Sequence, residues 1–330
     1  MRVLFDNVNL SSDNGPNSFA KKLVHALHEQ GHEVSDKAPQ GSGDIVLSFI
    51  ETFVNHEKPL VQRLDGIYFN NQFDYMHQNR NILNTYEKAD GVIFQTSFNK
   101  DLITKYFGEH KNSIVIRNGA QIELLELVPL LDSFNIDSTG EKISFSEIEG
   151  NVWCCASNWR PHKRLWDNIK YYIENREEND VLIVAGRTKD NVAKAWGNHS
   201  RFHDKVLKRE KIYFAQNMNY STLLQLYKTS DKFIHLAWLD HCPNVVVDAR
   251  AMGCQIICSD SGGTKEVAGD NAILIQEQNE WDFKPVKLYD PPALNFDKKI
   301  DNIYTQGSND IRDVAKEYIE FFVRTLEKTR

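Results

Sequence analysis

Short apolar runs alternate along the chain with segments whose apolar residues recur at helical spacing. Val3-Leu4-Phe5 starts a strand, and a polar loop from Asp6 to Pro16 leads into a helix from about Ser18 to Gln30. Phe19, Leu23, Ala26 and Leu27 lie at i, i+4, i+7 and i+8, so that helix buries one face. Gly31 closes it and His32-Glu33-Val34 starts the next strand. Further strands are predicted at Ile45–Phe49, Leu60–Arg63, Gly91–Phe94 and Ser113–Ile116, with a helix capped by Ser97 carrying Leu102, Ile103 and Phe107. The rhythm breaks at 120–150, an acidic stretch with Pro129, Asp132, Asp137 and Gly140 that reads as an interdomain connection. A second series then runs through Val152–Ala156, a helix over Lys163–Glu174, Val181–Ala185, a helical region over 191–209, Ile212–Phe214, a helix over Ser221–Lys228 and a buried strand over Phe233–Trp238. The last helix has the clearest period: Asp310 can cap it, and Ile311, Val314, Ala315, Tyr318, Ile319, Phe322 and Leu326 share one stripe. Strand and helix alternation of this kind predicts an α/β fold with parallel sheets and crossover helices.

Length allows two such domains, since 330 residues can close two cores. A net charge of -7, without a basic run interleaved with aromatics, argues against nucleic acid as a partner and gives no support to attraction by anionic lipid. No apolar stretch approaches the roughly 20 residues of a membrane span, and the N-terminus enters a strand at once rather than an apolar leader. Five cysteines, Cys154, Cys155, Cys242, Cys254 and Cys258, show no zinc or redox spacing. Cys154 and Cys155 are neighbours in a strand and must point to opposite faces. Buried reduced thiols and a cytoplasmic location are the expectation.

The stretch from Asp240 to Gly253 carries the most chemistry. It follows the Phe233–Trp238 run; Pro243 suits a first helical turn and Gly253 the position past the helix end. Asp240 stands before that turn and Asp248 inside the helix. The amides of Asn244 and Val245 head the helix, where its dipole is positive. Amides for phosphate and carboxylates for hydroxyls suit a nucleotide sugar. Gln255–Ser259 then forms another strand, and Ser261-Gly262-Gly263-Thr264-Lys265-Glu266 turns into a helix. Upstream, Asn158-Trp159-Arg160-Pro161-His162-Lys163 follows the first strand of the second half, and is either a phosphate grip or a solvated basic turn. In the first half, Asn14-Gly15-Pro16 lies in the loop across the cleft, too poor in glycine for a dinucleotide fingerprint. Asp65, before Gly66, is either an acceptor-side group or a turn former. Asn118-Gly119 reads as a structural turn. There is no Asp-x-Asp and no His/Cys cluster, so no metal is expected.

These motifs together resemble the retaining GT-B glycosyltransferases of group 1, of the family 4 type. That family has two acidic residues with seven between, a small-residue helix, a strand and a Gly-Gly-x-x-Glu turn; Asp240 and Asp248 enclose seven residues, and Gly262-Gly263 with Glu266 matches the turn. Both acids are Asp where the family usually has Glu, which shortens their reach by one methylene. The resemblance implies two Rossmann-like domains facing across a cleft: an acceptor-side domain over 1–125, a connection over 126–150, a donor domain over 151–305, and a helix over 306–330 that crosses back. It implies that Lys163 grips the donor diphosphate, with Arg160 replacing the family's arginine, whose position holds Asn158. It implies that Asp248 meets the ribose, that Asp240 and His241 approach the transferred sugar, and that Gly262, Gly263 and Thr264 offer amides to the donor. Gln216 and Met218 fall where base selectivity is expected, and Asn14, Gly15 and Pro16 near the diphosphate and acceptor. The expected co-substrate is a UDP- or GDP-linked sugar and the partner a glycan-type acceptor, with no separate cofactor. A non-hydrolysing sugar-nucleotide epimerase and a non-catalytic nucleotide-sugar-binding protein remain as alternatives.

Overall fold

The computed structural model describes residues 1–12, 15–37, 43–136, 140–186, 204–215, 218–303 and 309–329. The first half contains β1 (Arg2–Asp6), α1 (Gly15–Glu29), β2 (Glu33–Ser35), β3 (Ile45–Phe49), β4 (Leu60–Leu64), α2 (Tyr75–Lys88), β5 (Gly91–Phe94), α3 (Ser97–Phe107) and β6 (Ser113–Val115). Its strands form a parallel sheet in the order β2-β1-β3-β4-β5-β6. β3 and β4 are buried at every position, as strands covered on both faces must be. The cap of α3 differs by one residue from the sequence expectation. Thr96, not Ser97, accepts the Asn99 N–H through its side chain, which frees the Ser97 amide for a partner described below.

The second half contains α4 (Leu124–Leu127), β7 (Ser133–Asn135), β8 (Lys142–Ser144), β9 (Val152–Ser157), α5 (Leu165–Asn175), β10 (Val181–Gly186), α6 (Asp204–Arg209), β11 (Ile212–Phe214), α7 (Tyr220–Thr229), β12 (Lys232–His235), α8 (Asn244–Ala251), β13 (Gln255–Ser259), β14 (Ile273–Ile275) and β15 (Lys299–Asp301). The sheet order is β11-β10-β9-β12-β13-β14-β15, parallel except for the edge strand β15. β12 is shorter than the apolar run suggested: the chain leaves the sheet after His235, and the Trp238 N–H bonds instead to the His162 carbonyl. The connection is also more than a linker. β7 and β8 pair as a hairpin, and Val128 and Phe134 are buried in the same core as Val246, Val247 and Phe233. Cys154 packs in that core and Cys155 in the layer of Trp159 and Leu165, on the two faces of β9. All five cysteines are buried and unbridged.

The closing helix, α9 (Ile311–Thr329), returns to the first domain. Its stripe of Ile311, Val314, Ala315, Tyr318 and Phe322 shares a core with Val3, Phe5 and Phe19, and the Asp310 carboxylate accepts the Arg312 N–H at its start. No helix among the described residues is long and apolar enough to cross a membrane.

Candidate active site in the interdomain cleft

In an open parallel sheet, ligands bind beyond the carboxyl ends of strands, where the strand order reverses. In the second sheet that point lies between β9 and β12. The loops leaving them carry Lys163 and Asp240, and the two side chains meet there as an ion pair. They line a cleft between the domains that encloses about 660 Å³. Asn158, Asp65, His241, Asn244, Val245, Asp248, Met218, Gly15 and Pro16 line it too. Asn14 and Gln216 lie outside the described residues.

Asp240 does not stand free to meet a sugar hydroxyl, as the sequence suggested. One oxygen, Oδ2, accepts from both Lys163 Nζ and His235 Nε2, the latter at 2.9 Å; the other accepts the His241 amide at 3.1 Å. Burial by itself would raise its pKa, but the Lys163 ammonium and the His235 ring hold the carboxyl well below the usual range. His235 is driven the other way by burial, so its ring is neutral, and its Nε2 must carry the proton, since the ionised carboxylate can only accept. Asp240 thus anchors Lys163. The turn after Lys163 is fixed as well: Arg164 is buried in the left-handed region at φ 47°, gripped by Glu277 through two bonds of 2.6 and 3.1 Å and by the Pro292 carbonyl at 2.8 Å. Those bonds offset the strain of roughly 1–3 kcal/mol that such a conformation carries. Arg160 is exposed and stands outside the residues lining the cleft. Its neighbour Pro161 opens a single 3-10 turn, Pro161–Lys163.

Pro243 caps α8, and the first helical bonds run from Val246 and Val247 to its carbonyl, so the amides of Asn244 and Val245 precede the ladder. Gly253 ends the helix at φ 98°, as expected. Asp248, on the buried face of α8, pairs with Lys22 of α1 across the domain boundary at 2.9 Å. Burial raises its pKa, while Lys22 and Tyr220 oppose the rise. Lys22 was not legible as a site residue, because a lysine beside Phe19 and Leu23 reads as the edge of a solvated helix. Tyr220 also lines the cleft, its phenol raised by burial and by the nearby Asp248.

Gly262, Gly263 and Thr264 lie outside the residues lining the cleft. The Gly263 N–H donates to the Asp240 carbonyl at 2.8 Å, and Gly262 adopts φ 70° beneath the same loop. The helix that follows is a single 3-10 turn, Thr264–Glu266. Its Glu266 carboxylate instead accepts the amides of Ser97 and Phe98 at 2.9 and 2.8 Å, sitting on the N-terminus of α3 in the other domain.

His241 is wedged between the domains. Its ring packs on Phe69 and Phe98, and Asn99 Nδ2 donates to Nδ1 at 3.1 Å. Burial lowers its pKa to about 4, so it is a neutral ring. Asp65 lines the first-domain wall of the cleft, bonded to Arg63 and Gln95. The following Gly66 is also required: a Cβ there would stand 2.6 Å from the His241 ring. Asn118, expected only to make a turn, is a hub. It accepts from Arg63 at 2.7 Å and donates to Asn244 Oδ1 at 2.9 Å, while Asn244 Nδ2 reaches the Gly15 carbonyl at 2.8 Å. Arg63, Gln95 and Asn118 were missed. The available signal was a charged residue, next to Gln62, inside the fully buried β4, two positions from Asp65 on the same face. Among the described residues no group of three or more His, Cys, Asp or Glu side chains is placed to hold a metal ion.

Comparison with known proteins agrees with this geometry. Residues 142–284 match the family model for glycosyl transferases group 1. An uncharacterized glycosyltransferase of Methanocaldococcus jannaschii is 24% identical over 272 residues, 78% of this chain and 64% of the relative, so the chain spans just under two thirds of that protein. Among solved structures, sucrose-phosphate synthase from Thermosynechococcus elongatus superposes with a TM-score of 0.61 at 10% identity, covering 99% of this chain and 97% of that one. HepE of Anabaena, in complex with UDP and glucose, gives 0.60 at 14% identity over 99% and 92%. Residues 142–284 are therefore similar to the glycosyl transferases group 1, and the chain has the GT-B fold.

Proposed function

We propose that the protein transfers a sugar from a nucleoside-diphosphate sugar to an acceptor, with retention at the anomeric carbon. The observation that carries this reading is the Lys163 ammonium, anchored by Asp240 in the cleft that the leading amides of α8 also line. As the glycosidic bond breaks, negative charge gathers on the leaving diphosphate. A fixed cation and fixed amides stabilise that charge without reorganising, at roughly 3–4 kcal/mol of barrier for one well-placed donor. Asp248 and Tyr220 lie where the ribose would sit, and Ala185, Gly186 and Met218 offer an apolar and backbone surface for the base. Both donor-side carboxylates already hold lysines, which supports a same-face displacement in which the leaving phosphate oxygen takes the acceptor proton. The donor is UDP- or GDP-linked, no metal is required, and the buried thiols fit a cytoplasmic setting.

A thermal-shift screen with UDP, GDP, ADP, CMP and their sugars, in EDTA, tests the reading. One diphosphate near 100 times its Kd should stabilise the protein by about 2.7 kcal/mol. Lys163→Ala should remove most of that shift and lower turnover by about 10²–10³-fold. Stabilisation by none of the nucleotides would overturn the proposal.

A further inference from the structure

The first-domain wall of the cleft has a charge arrangement that limits what it can bind. Arg63 is 1% exposed, with its guanidinium 4.1 Å above the Phe19 ring. Three of its five N–H bonds are engaged: Nε donates to the Tyr318 hydroxyl at 3.1 Å, Nη1 to Asp65 Oδ1, and Nη2 to Asn118 Oδ1 at 2.7 Å. Gln95 Nε2 donates to the same Asp65 oxygen, and Gln95 Oε1 accepts from Asn118 at 3.3 Å. The Asp65 side chain is 19% exposed, and among the described residues its Oδ2 takes no hydrogen bond. The ligand therefore meets an open carboxylate oxygen, with the guanidinium sealed beneath it. The cation across the cleft, Lys163, is committed to Asp240.

We infer that Asp65 Oδ2 receives an uncharged hydroxyl of a neutral, sugar-like acceptor, and that Arg63 and Tyr318 are positioning residues that hold this oxygen in place. The inference rests on the glycosyltransferase reading above and adds the class of acceptor. An ionised carboxylate offers only acceptor lone pairs, which a hydroxyl donor satisfies. A phosphate or carboxylate on the acceptor would face that oxygen with like charge, while the Arg63 guanidinium that could answer it is 1% exposed and turned to Asp65, Asn118 and Tyr318. Tyr318 makes the arrangement depend on α9, since its hydroxyl is what the Nε of Arg63 donates to.

The test is saturation-transfer NMR on the full chain with saturating UDP, or GDP if that is the nucleotide bound. The probes are the methyl glycosides of glucose, mannose and galactose, set against glucose 6-phosphate and mannose 6-phosphate. At least one methyl glycoside should bind and neither hexose phosphate should. Asp65→Asn should weaken the glycoside by about tenfold, as expected for a lost charge-assisted hydrogen bond. Tyr318→Phe, which removes one hydroxyl and keeps the ring, should weaken it by about threefold. Nucleotide affinity in both variants should stay within about twofold of wild type, which also shows that they fold. A hexose phosphate binding as well as the glycosides, an unaffected Asp65→Asn, or nucleotide binding with no glycoside bound at all would each overturn the acceptor assignment. An unaffected Tyr318→Phe would remove the positioning role. Absence of binding by every nucleotide would instead mark the failure of the donor reading, and the acceptor class would fall with it.

Discussion

The Asp248 carboxylate illustrates how a partner alters what a residue does. As a lone acid on a helix it should be replaceable without harm to the fold. Paired with Lys22, both side chains almost fully buried, it is not. Removing one partner leaves a buried charge, so Lys22→Met and Asp248→Asn should each cost about 3–5 kcal/mol. The double variant should cost less than the sum, by a coupling of about 1–3 kcal/mol in denaturant melts of all four proteins. Strict additivity would show that the pair does not form in solution. His162 gives a second prediction at this scale. Its ring is buried and stacked on Tyr289, with Lys163, Arg160, Asp240 and His235 the charged or titratable groups that act on it. Burial first, then Lys163, lowers its pKa to about 3. The unfolded chain, with a value near 6.5, binds that proton better. Stability is therefore full above about pH 6.5 and falls as pH drops towards 3, by up to about 1.4 kcal/mol per pH unit for this one site. His235 and His241 are shifted the same way, so His162→Phe, which keeps the stack, should reduce the slope of urea midpoint against pH rather than flatten it. A slope unchanged in His162→Phe would refute the buried neutral ring.

At the scale of elements, close approach explains a residue that reads as a plain turn. A Cβ on Gly119 would stand 2.7 Å from the backbone of Ile311, where α9 begins. Gly119→Ala should push that helix start outward and cost about 1–3 kcal/mol, read as a lower melting temperature. An unchanged melting temperature would mean that α9 docks more loosely than its packing implies. This contact also marks what the chain's pattern conveyed and what it did not. Periodicity placed α1, α9 and the strands of the two parallel sheets up to β13 well, because one buried face per element leaves a regular apolar stripe; it did not find β7, β8, β14 or β15. It missed α2, whose long polar face and four buried positions dilute the stripe. It overran β12, because Leu236 and Ala237 are as buried as strand residues while lying beyond the ladder. The turn and helix from Asp240 to Gly253 were legible since their residues are close in sequence. Arg63, Gln95, Asn118 and Lys22 were not, because their roles arise from contacts between elements far apart in sequence, within the first domain or across the two domains. The Gly-Gly turn shows the same limit: spacing identifies a turn but not which side chain or amide faces the cleft.

For the whole molecule, the contacts between the domains matter as much as either core. The first domain meets the second through Lys22 and Asp248, through Asn118 and Asn244, and through a strap in which the Val286 N–H bonds to the Phe69 carbonyl at 3.1 Å and the Asn71 N–H to the Val286 carbonyl at 2.9 Å. Glu266 adds a contact of a different kind. Its buried carboxylate caps α3 from the opposite domain, accepting two amides that have no intrahelical partner and sitting at the positive end of that helix. Arg117, about a third exposed, approaches it at 3.3 Å. These contacts hold the two domains against each other. Loss of this cap should weaken both the helix start and the closed arrangement, since one group serves both. Glu266→Ala should cost about 1–2 kcal/mol of stability, the usual worth of a capping side chain with its charge. It should also widen the distance between labels placed on α2 and α6 in nucleotide-free protein, with saturating nucleotide diphosphate restoring the wild-type distance. Glu266→Gln, which keeps an acceptor oxygen but no charge, should fall between the two. A loss of stability with the interdomain distance unchanged would confine Glu266 to capping, and leave closure to Lys22, Asn118 and the strap.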